Sequence, residues 1–437
     1  MAAGSPATLR SRAVRVVVWT LLLDLFAFTL PLPLFPRLIA SFPRSGLLNA
    51  LLAVVRSFHA RLTGSAAPSA QVDVVLLGGL LGSLFSALQF VVGPIVGRAA
   101  DRYGRRPVLL ASMLGNIISA AIWLRATTFE QYLVSRIVGG LSEANVQISL
   151  VVISDVVPSA ERSKTLALVG LAFSLAFSTG PPVGAYLAKF PLDWQGVNIY
   201  ALPALISLVL LVAETVVLAV ALPETRSAQA TSKPQTAVAS TRLRRLEKLH
   251  TAFLLVFAGC EFTLTFRAQR FLLLADRSVA FDLLGFSNAQ NGALLGSIGL
   301  LSALTQGGYV RRTKVGSGAL ARGGMFTCVV ALGLLAALPR TRSVALLYAA
   351  GVLLAFTSAT VVNSLTALVS LDAPEAQRGA VMGRFRSAGQ LGRALGPLVA
   401  TSVYWSAGPT TCYAVAATAM GGVWLAASRL DGRSKAS

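Results

Sequence analysis

Apolar residues in this chain come in long, nearly unbroken runs, and polar residues collect between them. Runs at residues 15–39, 74–96, 108–123, 129–152, 165–187, 199–222, 249–274, 288–310, 322–338, 343–370, 379–404 and 410–427 approach or exceed the length needed to cross a bilayer. About 20 apolar residues cover about 30 Å of hydrocarbon. The pattern predicts an all-α integral membrane protein with twelve transmembrane helices, here segments 1 to 12. Residues 41–73 read differently. There Leu47, Leu48, Leu51, Leu52, Val55 and Phe58 recur at helical spacing with Asn49 and Arg56 on another face, which predicts an amphipathic helix lying in the membrane interface. Residues 227–240 are rich in Ala, Ser and Thr and lead into Arg242, Arg244, Arg245 and Lys248. A flexible cytoplasmic linker at 223–248 is therefore expected between two halves, 1–222 and 249–437.

The halves look duplicated. Pro158, Arg162, Gly180 and Pro181 return as Pro374, Arg378, Gly396 and Pro397, each pair 216 residues apart. Two pseudo-symmetric six-helix halves follow, and duplicated membrane halves place a substrate site at their interface near the midplane.

Composition narrows the class. Of 437 residues 55% are hydrophobic and only 13% charged, against about 25% charged in a soluble domain. The net charge of +21 would suggest nucleic acid, but the basic residues fall between apolar runs and not on one face, so no nucleic-acid function is read. They set topology instead. On the side of the turn at 97–107 lie 23 Lys and Arg, against 11 on the other, which predicts cytoplasmic termini. The start, with Arg10, Arg12 and Arg15 before a long apolar run, mimics a secretory signal; the run is too long for a cleaved core and reads as a retained helix. Cys260, Cys328 and Cys412 sit in separate runs without a CxxC pair, and His59 and His250 lack ligand neighbours at usable spacing. No metal, cofactor or disulfide framework is expected. Without a Ser/His/Asp, HExxH or P-loop pattern, neither an enzyme nor a primary pump is read.

Charges inside the apolar runs carry the functional reading, since an ionisable group within a span marks function by default. Asp24 lies a third of the way into segment 1, ahead of Pro31, Pro33 and Pro36; a hydrogen bond to a neighbouring helix is the alternative role. In segment 4, Arg136, Gly140, Glu143 and Gln147 share one helical face, where a buried ion pair holding helices together is one role open to them. Glu214 in segment 6 reads as a structural partner. Glu261 in segment 7 takes the place in the second half that Asp24 has in the first. Burial favours the protonated form of a carboxylate, so such groups can carry a proton. In segment 11, Arg386, Gln390 and Arg393 share a face. Two guanidiniums in a span need anions, supplied by protein carboxylates or by an anionic substrate, while Arg384 lies off that face and is expected to snorkel.

The turn Gly97, Asp101, Gly104, Arg105, in the pattern G-x-x-x-D-R-x-G-R-R-P, resembles the loop between helices 2 and 3 of the major facilitator superfamily. The run at 133–140 resembles that family's helix 4 motif, whose arginine, here Arg136, is tied to proton coupling. The spacing L-D-x5-L-x2-P-x2-P around Asp24, and Gly180, Pro181 and Gly184 in segment 5, resemble the tetracycline-transporter-like branch of its drug:proton antiporters. Ala27, Thr29, Ala176 and Ala185 depart from that pattern. The resemblance implies a monomeric secondary transporter that moves small organic molecules, organic anions or drugs, across a lipid bilayer by alternating access in exchange for protons. Asp24, Arg136, Glu143 and Glu261 would couple protons; Arg386, Gln390 and Arg393 would bind substrate. Gly97, Asp101, Gly104, Arg105, Asp155, Gly180, Pro181 and Gly184 would gate. Asp101 would latch onto the start of segment 11 near residues 378–383, with Gly97 and Gly104 permitting the approach and Arg105 pairing with Asp155. A non-transporting receptor or scaffold on the same fold is the competing reading.

Overall fold

The computed structural model describes residues 6–64, 70–192, 194, 196–226, 241–268 and 288–428. In that chain order the helices are α1 (Pro6–Thr29), α2 (Phe35–Ser41), α3 (Gly46–Thr63), α4 (Ala70–Tyr103), α5 (Arg105–Leu124), α6 (Phe129–Ser142) and α7 (Asn145–Val156). They continue with α8 (Ser159–Leu187), α9 (Ala201–Ala221), α10 (Thr241–Ala268), α11 (Asn288–Leu304), α12 (Ser317–Thr341), α13 (Val344–Asp372) and α14 (Arg378–Ser428). The described residues contain no strand. Ten stretches are long and apolar enough to cross a membrane. Hydrocarbon offers the backbone no hydrogen-bond partner, so a chain of this composition must satisfy its N–H and C=O groups within helices. Val209, Val212, Val216 and Val220 on α9 are exposed along one side, as suits a helix facing lipid.

The helix breaks have local causes. Pro31 and Pro33 end α1 and pass the chain through a short 3-10 turn, Leu32–Leu34, into α2. At Gly408 the backbone turns to φ 82°, ψ 165° before Pro409, which divides the 51-residue α14 where segments 11 and 12 were expected to part. Residues 242–248, expected as a linker flank, form part of the first two turns of α10.

Segment 4 is not one helix. The chain leaves helical geometry at Glu143 (φ −71°, ψ 89°), between α6 and α7, so the single face through Arg136, Glu143 and Gln147 does not exist. Ser112 of α5 holds the break: its hydroxyl donates to the Ser142 carbonyl and accepts from Ala144 N at 3.1 Å. One side chain thereby serves two backbone groups that the break would otherwise leave bare inside the membrane.

The predicted amphipathic helix is α3, capped by Ser45 accepting from Leu48 N and by Gly64 in the left-handed region. It does not lie free in the interface. Leu48, Leu52, Val55 and His59 are buried against protein, Arg56 pairs with Asp73 of α4, and His59 meets Trp405 of α14 edge-on at 4.8 Å. Burial holds His59 below the ordinary imidazole range, against the pull of Asp73.

Packing brings α1, α4, α5, α6 and α9 together in the first half and α10, α12 and α13 around α14 in the second. The halves meet where α4 lies along α14 and where α8 lies against α11 and α13. Gly180 and Gly184 of α8 face α1: an added Cβ would fall 1.9 Å from Thr29 Oγ1 and 1.9 Å from the Leu30 carbonyl oxygen, respectively. Ala176 keeps close contact there because its carbonyl accepts from Thr29 Oγ1 at 3.1 Å, and Ala185 points outward.

Candidate functional site

Three groups of polar residues stand out within this apolar frame: a charged knot on the face that carries the 97–107 turn, a set of acids inside the first half, and a set of bases inside the second.

In the knot, α4 continues through Asp101 to Tyr103, and Gly104 turns at φ 103°, a region that disfavours any side chain. The Asp101 carboxylate accepts from Gly379 N at 2.9 Å and Ala380 N at 2.7 Å, the first free N–H groups of α14. A helix N-terminus carries about half a positive charge and unsatisfied donors, so a carboxylate there is stabilised. Gly97 makes the approach possible, since a Cβ on it would lie 2.3 Å from the Gly379 carbonyl oxygen. Gly104 does not share this role. Its neighbour is Glu224, beyond α9, whose carboxylate accepts from Arg105 N at 2.9 Å and Arg106 N at 3.1 Å and so caps α5. Arg105, almost fully buried, donates to Asp155 at 2.8 Å and to Asp101 at 2.9 Å. Asp155 also accepts from Arg378 of the second half at 2.8 Å. Arg162, the repeat partner of Arg378, reaches across to the Ser370 carbonyl at 2.8 Å. The sequence reading missed Glu224, Arg378 and the reach of Arg162, though the 216-residue repeat already marked both arginines.

In the first half a cavity of about 60 Å³ is lined by Asp24, Phe28, Asn116, Trp123, Arg136 and Glu143, among others. At about 10–15 Å³ per water it has room for a few. Asp24 is 3% exposed. Asn116 donates to Glu143 at 3.2 Å. Arg136 forms no ion pair among the described residues; its guanidinium lies over the rings of Phe35 and Tyr132, each at 5.5 Å. The buried ion pair offered as an alternative role for Arg136 is thus replaced by cation–π contacts. Gln147 is committed elsewhere, donating to the Gly93 carbonyl of α4 at 2.9 Å. Glu214 is wholly buried and accepts from Asn145 Nδ2 at 2.7 Å.

In the second half, Arg386 and Arg393 project from α14. Neither is in a hydrogen bond or ion pair among the described residues. Arg386 is half-buried and feels the charges of Glu143 and Asp24 across the interface; Arg393 feels that of Glu261. Gln390 is buried between them. Arg384 is tied to Glu247 at 3.6 Å. His250 stacks on Phe385 at 4.2 Å and faces both Arg386 and Arg393. Glu261 is exposed in the last third of α10, beside Phe262, whose ring meets α4 at Gly79. Residues 269–287, including the end of segment 7, lie outside the described residues.

Two helical halves closed on one face by a charged knot, with ionisable groups at their interface, define a membrane transporter and not an enzyme. The model of the Major Facilitator Superfamily matches residues 34–397, and the chain belongs to that family. The major facilitator superfamily domain-containing protein 10 of Mus musculus is 36% identical over 432 residues, 92% of this chain and 90% of the relative. Its Homo sapiens namesake is 35% identical over 425 residues, 92% and 89%. The crystal structure of the human organic anion transporter MFSD10 (TETRAN) superposes with a TM-score of 0.83 at 32% identity, covering 96% of this chain and 99% of that one. The proton:xylose symporter XylE shares the fold, at a TM-score of 0.68 and 16% identity over 95% of each chain.

Proposed function

We propose that this protein is a proton-coupled transporter of small organic anions, built from twelve crossings with both termini in the cytoplasm and working by alternating access as a monomer. The observation that carries the reading is the pair of guanidiniums on α14. Arg386 and Arg393 have no protein carboxylate in contact among the described residues, so their hydrogen-bonding capacity is open to a carboxylate or sulfonate on the substrate. The name of the human structural relative points to the same substrate class. Gln390, between the two arginines, would orient the anion.

In this reading the knot of Asp101, Arg105, Asp155 and Arg378 holds the cytoplasmic face shut and breaks when the cavity opens inward. Gly97 admits α14 to the latch, while Gly180, Pro181 and Gly184 let α8 roll against α1. Asp24, Glu143 and Glu261 take up and release protons, with Arg136 holding charge balance. Reconstitution into proteoliposomes with an imposed pH gradient tests it: a labelled organic anion should accumulate against its own concentration gradient only when the pH gradient is present, and Arg386→Gln should abolish that accumulation. A receptor or scaffold would show no flux.

Two modes of coupling remain distinct. The motifs around Asp24 and in α8 resemble those of drug:proton antiporters, which favours exchange. The charge layout favours a second mode: protonated Asp24 and Glu143 leave Arg386 uncompensated, so a proton and an anion gain by binding together. The sign of the gradient that concentrates the anion separates exchange from co-transport.

A further inference from the structure

The halves meet along two seams, and different chemistry closes each. Where α4 lies along α14, the Asp101 carboxylate caps the helix of the other half. Where α8 lies against α11 and α13, neutral side chains meet instead. Ser174 of α8 donates to Ser302 of α11 at 3.1 Å and accepts from Gln306 Nε2 at 3.2 Å. Gln306 stands in the short π-helical turn Thr305–Val310 that follows α11, and its Oε1 accepts from Asn363 Nδ2 of α13 at 3.4 Å. Ser174, Ser302 and Gln306 are buried, and no ionised group enters these bonds. Gly170, one turn before Ser174, seals the set: a Cβ there would fall 2.0 Å from Gln306 Oε1 and 2.1 Å from Asn363 Nδ2. Nearer the knot, Ser317 of α12 donates to Ser163 of α8 at 3.1 Å.

The internal repeat accounts for where this set lies. Asn363 follows Gln147 by 216 residues, the spacing that relates the halves. Each sends its amide nitrogen to a neighbouring helical segment of its own half, Gln147 to the Gly93 carbonyl of α4 and Asn363 to Gln306. In each seam a glycine of the opposite half packs over that amide. A Cβ on Gly383 would lie 2.8 Å from Gln147 Nε2, as one on Gly170 would crowd Asn363. To this shared arrangement the first seam adds Asp101, while the second, with no aspartate at residues 307–312, adds Gln306 and two serines. Small residues let helices approach closely enough for such bonds, and single π-helical turns recur at functional sites. The Gln306 bond to Ser174 exists only while α8 is seated. We propose that Gln306, Asn363 and Ser174 form an uncharged clasp on the α8 seam. One face of the protein is then shut by a charged latch at one seam and a neutral clasp at the other, and both part when that face opens. The clasp rests on the alternating-access reading for its role in transport, though not for its hold on the seam.

The test is a spin-label distance measurement on the purified full-length protein, with labels at Lys164→Cys and Val315→Cys. Both positions are exposed and flank the Ser163–Ser317 bond, and the three native cysteines are buried. With the clasp intact the short distance should dominate. Gln306→Leu should raise the long-distance fraction roughly threefold to tenfold, the scale of one or two interhelical hydrogen bonds in a bilayer. Gly170→Ala should act in the same direction by driving the Gln306 amide from its partners, and combining it with Gln306→Leu should add little. Thr305→Val, which removes a bond to the Leu301 carbonyl beside the clasp, should leave the distribution unmoved. An unchanged distribution in Gln306→Leu, or an equal change in Thr305→Val, would overturn the clasp. Flux measurements separate the two ideas: if the wild type moves no organic anion in proteoliposomes, the transport reading fails, while the distances still decide whether the clasp holds the seam.

Discussion

The two halves carry opposite chemistry inside the helical frame. The first holds acids: Asp24, Glu143 and Glu214, with a single cation, Arg136, spent on aromatic rings. The second holds bases: Arg386 and Arg393, with His250 beside them and one acid, Glu261. The turn face shows the same asymmetry. The first half's turn supplies Asp101 to the latch, while the corresponding stretch of the second, residues 307–312, has no aspartate and forms part of a π-helical turn. In the proposed reading protons fall to the first half and anions to the second, while Asp101 joins the two across the seam.

The largest effect is expected from keeping both halves intact while preventing them from meeting. Gly97→Leu puts a side chain where the Gly379 carbonyl stands 2.3 Å from the Cβ position. Flux should vanish while the purified protein still binds an organic anion on the second half; retained flux would show that α4 and α14 need not close. Arg386→Gln attacks the second half alone. Losing a charge-assisted bond costs about 1.5–3 kcal/mol, so anion binding should weaken roughly tenfold to a hundredfold, with neutral ligands affected little. Equal weakening of both would remove Arg386 from anion recognition.

Smaller effects belong to the seam and the rim. Asp101→Asn keeps an acceptor for only one of the Gly379 and Ala380 N–H groups, since its Nδ2 only donates, and loses the charge against the α14 N-terminus, itself worth about 0.3–1 kcal/mol. The cytoplasmic face should open more often, read as roughly two- to fivefold faster labelling of a cysteine placed in the cavity from that side. No change would reduce the latch to a packing contact. The mildest is Arg393→Gln. This side chain is exposed, so its charge is screened and anion affinity should fall only a few-fold. A loss as large as that of Arg386→Gln would place the anion nearer Arg393.

The membrane explains what was legible in the sequence. Hydrocarbon forces long apolar runs, so most of the spans, the break at Gly408 and the amphipathic α3 could be read directly, although among the described residues ten span-length stretches stand where twelve runs were read. The Asp101 contact with α14 was also foreseen, from the spacing of Gly97, Asp101 and Gly104, which a topology-setting role of the turn's arginines does not explain. What escaped depends on partners remote in the chain. The break in segment 4 is held by Ser112, 30 residues before Ser142, and nothing within segment 4 itself announces it. Glu224 caps α5 from 119 residues away. Arg136 finds rings where an acid was considered, and α3 packs on protein because His59 and Trp405 meet across 346 residues of sequence.

The division of labour is tested most directly by following one labelled organic anion in proteoliposomes containing Asp24→Asn or Arg386→Gln, with an imposed pH gradient and, separately, in gradient-free counterflow. The account predicts that Asp24→Asn keeps counterflow and loses gradient-driven accumulation, while Arg386→Gln loses both for the anion. Accumulation at the wild-type level in Asp24→Asn, or counterflow lost equally in the two variants, would contradict it.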